Sequence, residues 1–221
     1  MARNPKGPAA IGAPAHRSRA PGRVAARISR WTRLSCGVDL VTPTRRDLTY
    51  AAGLTIPDIM KPGLRVLFCG INPGTRSGEL GLHFARPGNR FWKLLYAGGF
   101  TDSVLPPAEQ HILPELGIGI TNLVGRVTAA ASGLTVAELR KGATHLEAKV
   151  GVLRPHCVAV LGLQAYRTAF RRPGATIGLQ PERIAGARLW LLPNPSGLQA
   201  RYQMPEMHAM FKSLFVATEG A

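Results

Sequence analysis

Acidic residues are scarce in this chain. Its 221 residues include 12 Asp and Glu against 28 Lys and Arg, a formal net charge of +16. That imbalance disfavours cationic partners and points to a polyanion, most simply nucleic acid. A solvated basic surface is the competing reading of charge alone. Cysteine is sparse too. Cys36, Cys69 and Cys157 form an odd set, which argues against a paired disulfide framework and for a reducing compartment. A four-cysteine zinc or iron–sulfur site is excluded. No apolar run reaches the ~18 residues of a membrane-spanning helix, and no apolar core of a secretory signal exists. The expected location is therefore cytoplasmic in a bacterium, serving the nucleoid, or an organelle or the nucleus in a eukaryote. Hydrophobic residues still make up 45% of the chain, enough for a sizeable core.

Other absences narrow the chemistry. The six His show no metal-ligand spacing. There is no Gly-Lys-Ser/Thr phosphate loop, no spaced-glycine dinucleotide fingerprint and no Ser in a nucleophile elbow. A reaction run here is expected to need no metal, no cofactor and no covalent nucleophile.

Residues 1–43 differ from the rest. Arg3, Lys6, Arg17, Arg19, Arg23, Arg27, Arg30 and Arg33 face a single acid, Asp39, and Pro and Gly punctuate the start. Three readings compete: a disordered arm that holds phosphates, an organelle transit peptide, and a start codon assigned too far upstream. The folded domain is expected over 44–221, opening with a short helix from Thr44 to Ala52.

Within it, apolar runs without alternation are separated by helical spacing. Strands are expected at Arg65–Gly70, Ile118–Leu123, Cys157–Leu161 and Leu189–Leu192. Helices are expected near Asn89–Ala97, after a Thr135/Glu138 capping box, over Gln164–Phe170 and over Pro205–Val216. This predicts an α/β fold: one three-layer domain with a mainly parallel central sheet of about four strands flanked by helices.

Ligands of such sheets bind at the carboxyl ends of strands. Two strand ends carry special residues, Gly70-Ile71-Asn72-Pro73-Gly74 and Pro193-Asn194-Pro195-Ser196-Gly197. Each sets an Asn in a tight turn, where Pro biases the backbone and Gly permits close approach. Asn72 can orient a water but cannot take its proton as a carboxylate would. That suits a reaction whose leaving group departs early, so that water captures a cation. Cleavage of a nucleoside's glycosidic bond fits: the oxocarbenium-like sugar needs little push, and the departing base needs donors for its charge.

Three motifs then stand together: Gly70-Ile71-Asn72-Pro73-Gly74, Phe84-Ala85-Arg86-Pro87-Gly88-Asn89-Arg90-Phe91-Trp92 and Leu192-Pro193-Asn194-Pro195-Ser196-Gly197-Leu198. In this order they resemble the mismatch-specific uracil-DNA glycosylases of the Mug/thymine-DNA glycosylase family. The resemblance runs from about Ile56 to the last helix. It implies a uracil-DNA glycosylase-like fold and a monomer acting on double-stranded DNA with G:U or related mismatches. The reaction implied is removal of uracil, with thymine and etheno-cytosine as further substrates, to leave an abasic site. Asn72 would position the attacking water. Ile71, Ser77, Phe84 and Asn122 would form the base pocket, with Phe84 stacking on the flipped base and backbone groups around Ile71 and Phe84 holding its edge. Asn194, Ser196, Gly197, Leu198 and Arg201 would enter the duplex and meet the widowed guanine. No Lys stands in these motifs to form a Schiff base, so strand cleavage is not expected. A non-catalytic module that binds mismatches or abasic sites is the alternative. On the residues alone, Phe84 also reads as core, and Ser196 as either a turn residue or a phosphate contact.

Overall fold

The computed structural model describes residues 55–197 and 201–220. The basic extension, Cys36, the helix expected over Thr44–Ala52 and Leu198 lie outside the described residues. Among the described residues, β1 (Val66–Gly70), β2 (Ile118–Asn122), β3 (Cys157–Leu161), β4 (Gly178–Ile184) and β5 (Ala187–Leu192) build one sheet in the order β2-β1-β3-β5-β4. Neighbours are parallel except β4, which runs antiparallel to β5.

The expected α/β architecture is present, with one strand more than the four expected. The missed strand is β4. It lies at the sheet's edge, alternates buried and exposed positions, and its pairing with β5 shifts register between Leu179 and Arg183. Pro181 falls inside that irregularity, where its missing N–H does least harm to a ladder. A half-exposed, charged strand with an internal Pro gives no apolar run to detect. Three further elements lie outside those expected from the sequence: α1 (Thr75–Leu80) and 3-10 helices over Pro107–Leu116 and Ala131–Gly133.

The layers follow from strand geometry. Successive side chains of β1 point to opposite faces. Val66 and Phe68 join the core beneath α2 (Phe91–Gly98) and α5 (Met204–Thr218), whereas Leu67 and Cys69 join the core beneath α3 (Val136–Leu153) and α4 (Leu163–Ala169). Phe68 meets Phe91 and Phe100 edge-on, both at 5.4 Å between centroids, and stacks on Phe211 at 5.9 Å. Burying one such ring contributes about 1.5–3 kcal/mol. Cys69 and Cys157 are buried strand residues, and burial pushes the Cys157 thiol up to about 12. Both behave as small hydrophobes. The α3 start forms as its sequence predicts: Thr135 Oγ1 accepts from Glu138 N at 3.2 Å, and Glu138 Oε2 accepts from Thr135 N at 2.8 Å. No helix among the described residues is long and apolar enough to cross a membrane.

Candidate active site

All four parallel strands end on one side, and β1 sits between β2 and β3. The parallel register makes Gly70 the partner of Asn122. A Cβ added at Gly70 would overlap Asn122 Oδ1 and lie 3.3 Å from Phe84 Cζ. Only a glycine lets these three residues meet.

Beyond Gly70 the chain turns through Asn72 into α1. Asn72 Nδ2 lies 2.7 Å from Thr128 Oγ1, 3.0 Å from Pro73 O and 3.1 Å from Arg126 O. Thr128 Oγ1 donates its own proton to Ala130 O at 2.8 Å, so it can only accept from Asn72. The amide is thereby oriented: its NH2 faces the 126–130 loop, and among the described residues its Oδ1 takes no hydrogen bond. Thr128 N donates to Pro73 O at 3.1 Å, tying that loop to the Asn72 turn. Arg126 in turn pairs with Glu138 at 2.8 Å. Hydrogen bonds from Thr135 N, Arg126 and the Thr135 hydroxyl, in that order, hold the Glu138 carboxyl down to about 2.

The Phe84 turn is strained. Phe84 has φ 52, a left-handed conformation that costs a bulky residue about 1–3 kcal/mol. Its neighbours hold it there. His83 N donates to Gln110 Oε1 at 2.8 Å, and Ala85 N donates to Ser77 Oγ at 3.1 Å. Among the described residues, the Phe84 N–H between them has no partner. The half-buried Phe84 ring stacks on Phe91 at 4.1 Å with the planes 27° apart, which occupies one ring face. Ser77 is buried and spends its hydroxyl on this turn. The Ile71 side chain packs toward Gly162, where an added Cβ would lie 2.9 Å from Ile71 Cδ1, while Ile71 O accepts from Val124 N at 2.9 Å.

The second turn docks on the same loop. Pro195 O accepts from Arg90 N at 3.0 Å, and the Arg90 guanidinium reaches Ser196 O at 3.0 Å and Tyr202 O at 2.9 Å. Arg90 thus grips both stems of the 197–201 segment. Asn194 Oδ1 accepts from Ser196 N at 3.0 Å, an Asx turn that shapes the loop. A Cβ on Gly197 would come within 2.7 Å of Gly88 O, so the two backbones are in close approach. Arg201 is exposed, its guanidinium 5.6 Å from the Tyr202 ring centroid.

The 84–90 loop therefore touches the β1 end through Phe84 and the β5 end through Gly88 and Arg90. It joins the two Asn-Pro turns along one rim. Thr128, His83 and Arg90 were not singled out from the sequence as site residues. Arg90 stood within a recognised motif, but nothing in the spacing announced three backbone carbonyls converging on it.

The site therefore presents an oriented, uncharged amide at the carboxyl end of the sheet of a three-layer α/β domain. Residues 57–217 match the family model of the uracil DNA glycosylase superfamily, and the chain belongs to that superfamily. A solution NMR structure from Methanosarcina acetivorans, provisionally designated a uracil DNA glycosylase, is similar in fold. It has 18% identity and a TM-score of 0.50, over 73% of this chain and 98% of that one.

Proposed function

We propose that this protein is a monofunctional glycosylase of the Mug/thymine-DNA glycosylase branch. It flips uracil mispaired with guanine out of duplex DNA and hydrolyses its N-glycosidic bond. The observation that carries the reading is the Asn72 amide, locked by Thr128, Pro73 and Arg126 with its carbonyl oxygen turned outward. A water held there is aimed by hydrogen bonding but not deprotonated, which is sufficient for capture of an oxocarbenium-like sugar.

The residues around it supply the remaining roles. The open face of Phe84 stacks on the extruded base. The Phe84 N–H donates to a base carbonyl, where the leaving group's negative charge spreads. Asn122 reads the base edge beside Gly70, and Ser77 borders the pocket where a 5-methyl would project. On the β5 side, Gly197 and Leu198 enter the stack and Arg201 contacts the backbone, with Asn194 and Ser196 shaping that loop. Unstacking costs a few kcal/mol and least at a mismatch, so a wedge of modest size favours G·U. The net charge of +16 supplies phosphate attraction.

The test compares G·U, A·U and single-stranded uracil DNA, with abasic sites revealed by alkali. The expected order of rates has G·U first. Equal rates on all three overturn the mismatch preference, and binding without abasic sites favours a non-catalytic module.

A further inference from the structure

His83 is 2% exposed, yet its polar atoms are all engaged. Its N–H donates to Gln110 Oε1, and its carbonyl accepts from Trp92 Nε1 at 3.3 Å. Nε2 lies 3.0 Å from Pro57 O, and Nδ1 lies 3.5 Å from Asn122 Nδ2. A carbonyl only accepts, so Nε2 carries the ring proton. In a neutral imidazole that leaves Nδ1 as an acceptor, facing an amide nitrogen that donates. Burial pushes the His83 pKa below its ordinary value, against the opposing pull of the Pro57 carbonyl and Asp58, which favours the neutral ring.

The two ends of the Asn122 amide are thereby told apart. Its NH2 end faces His83 Nδ1, and its Oδ1 end lies over Gly70. Were the amide to flip, its carbonyl oxygen would face Nδ1, acceptor against acceptor.

Resting on the reading of Gly70, Phe84 and Asn122 as a base pocket, we propose that His83 is a positioning residue that fixes the Asn122 amide against flipping. The pocket then accepts bases with an N3–H donor and refuses those with a bare N3. Uracil and thymine present N3–H beside the O4 acceptor; cytosine presents a bare N3 beside an amino group. Oδ1 accepts from the first arrangement while the second Nδ2 proton meets O4. A freely flipping Asn would satisfy either base, because its two ends are nearly the same shape.

The experiment measures single-turnover excision of 5-fluorouracil and 5-fluorocytosine, each opposite guanine. Fluorine makes both bases better leaving groups, so the ratio of rates reports edge recognition. His83→Leu keeps the volume and removes the acceptor. His83→Asn returns a carbonyl oxygen near the Nδ1 position. The uracil-over-cytosine ratio is expected to fall roughly 10-fold or more in His83→Leu, the scale of one misplaced hydrogen bond in a closed site, and to stay within about 3-fold in His83→Asn. An unchanged ratio in folded His83→Leu overturns the proposal. Nitrogen-15 NMR of the free protein gives a readout independent of activity. A neutral His83 with its proton on Nε2 is expected, and a proton on Nδ1 overturns the proposal. An inactive wild-type protein would refute the glycosylase reading instead, while the tautomer still decides whether His83 can hold Asn122.

Discussion

Asn72 Nδ2 and Thr128 Oγ1 lie 2.7 Å apart, 56 residues distant in sequence, and this contact joins those to Pro73 O and Arg126 O in setting which end of the Asn72 amide faces outward. The Thr128 hydroxyl is committed to Ala130 O, so it stays an acceptor. Asn72 is oriented by a loop from the neighbouring strand, not by its own turn alone.

Replacing Thr128 with Val keeps the shape and removes that acceptor. Pro73 O and Arg126 O still hold the amide, so the loss is partial. The single-turnover rate on G·U DNA is expected to drop roughly 5- to 10-fold, the worth of one hydrogen bond. Duplex binding, followed by fluorescence anisotropy, should stay within about 2-fold of wild type. An unchanged rate would show that Thr128 does not orient Asn72.

Arg90 holds Pro195, Ser196 and Tyr202 through their carbonyls. Arg90→Met keeps the aliphatic stem and the main-chain N–H on Pro195 O but leaves Ser196 O and Tyr202 O without their cation. Urea denaturation is expected to show a loss of about 2–3 kcal/mol, in the range for bonds to a charged group. If the 197–201 segment is the wedge proposed above, the rate on G·U should fall more than the rate on single-stranded uracil DNA, since only a duplex has a stack to fill.

Glu138 gives a pH signature. Its carboxyl titrates near 2 in the folded protein against an ordinary value of 4.5. A depressed carboxylate stabilises the fold above the unfolded value, and that contribution disappears as pH falls through the folded one. Wild type should therefore be more stable than Glu138→Gln at neutral pH, with the gap closing between pH 4.5 and about 2. Thermal melts across that window check it, and a gap that persists at the acid end refutes it.

Much of this was legible in the chain because local chemistry and tertiary need agreed. Cys157–Leu161 was bounded correctly because a strand buried on both faces reads as an uninterrupted apolar run. Thr135 and Glu138 announced α3 because a capping box is a local device. The edge strand β4 was hidden by Pro181 and its charged outward face, and its pairing depends on β5 rather than on its own residues. Asn72 stood out through its turn. Thr128, His83 and Arg90 did not, because each acts on a partner at least 39 residues away. No periodicity encodes such contacts. Asn194 and Ser77, expected at the substrate from their motifs, each also make a hydrogen bond that shapes a loop, which no local pattern announces.

The most direct measurement is single-turnover excision by Asn72→Ala on a G·U duplex, beside its affinity for the same duplex. If Asn72 aims the water, the rate falls ~100-fold or more while binding is retained, the usual scale for losing one positioning group. Turnover equal to wild type would contradict the account.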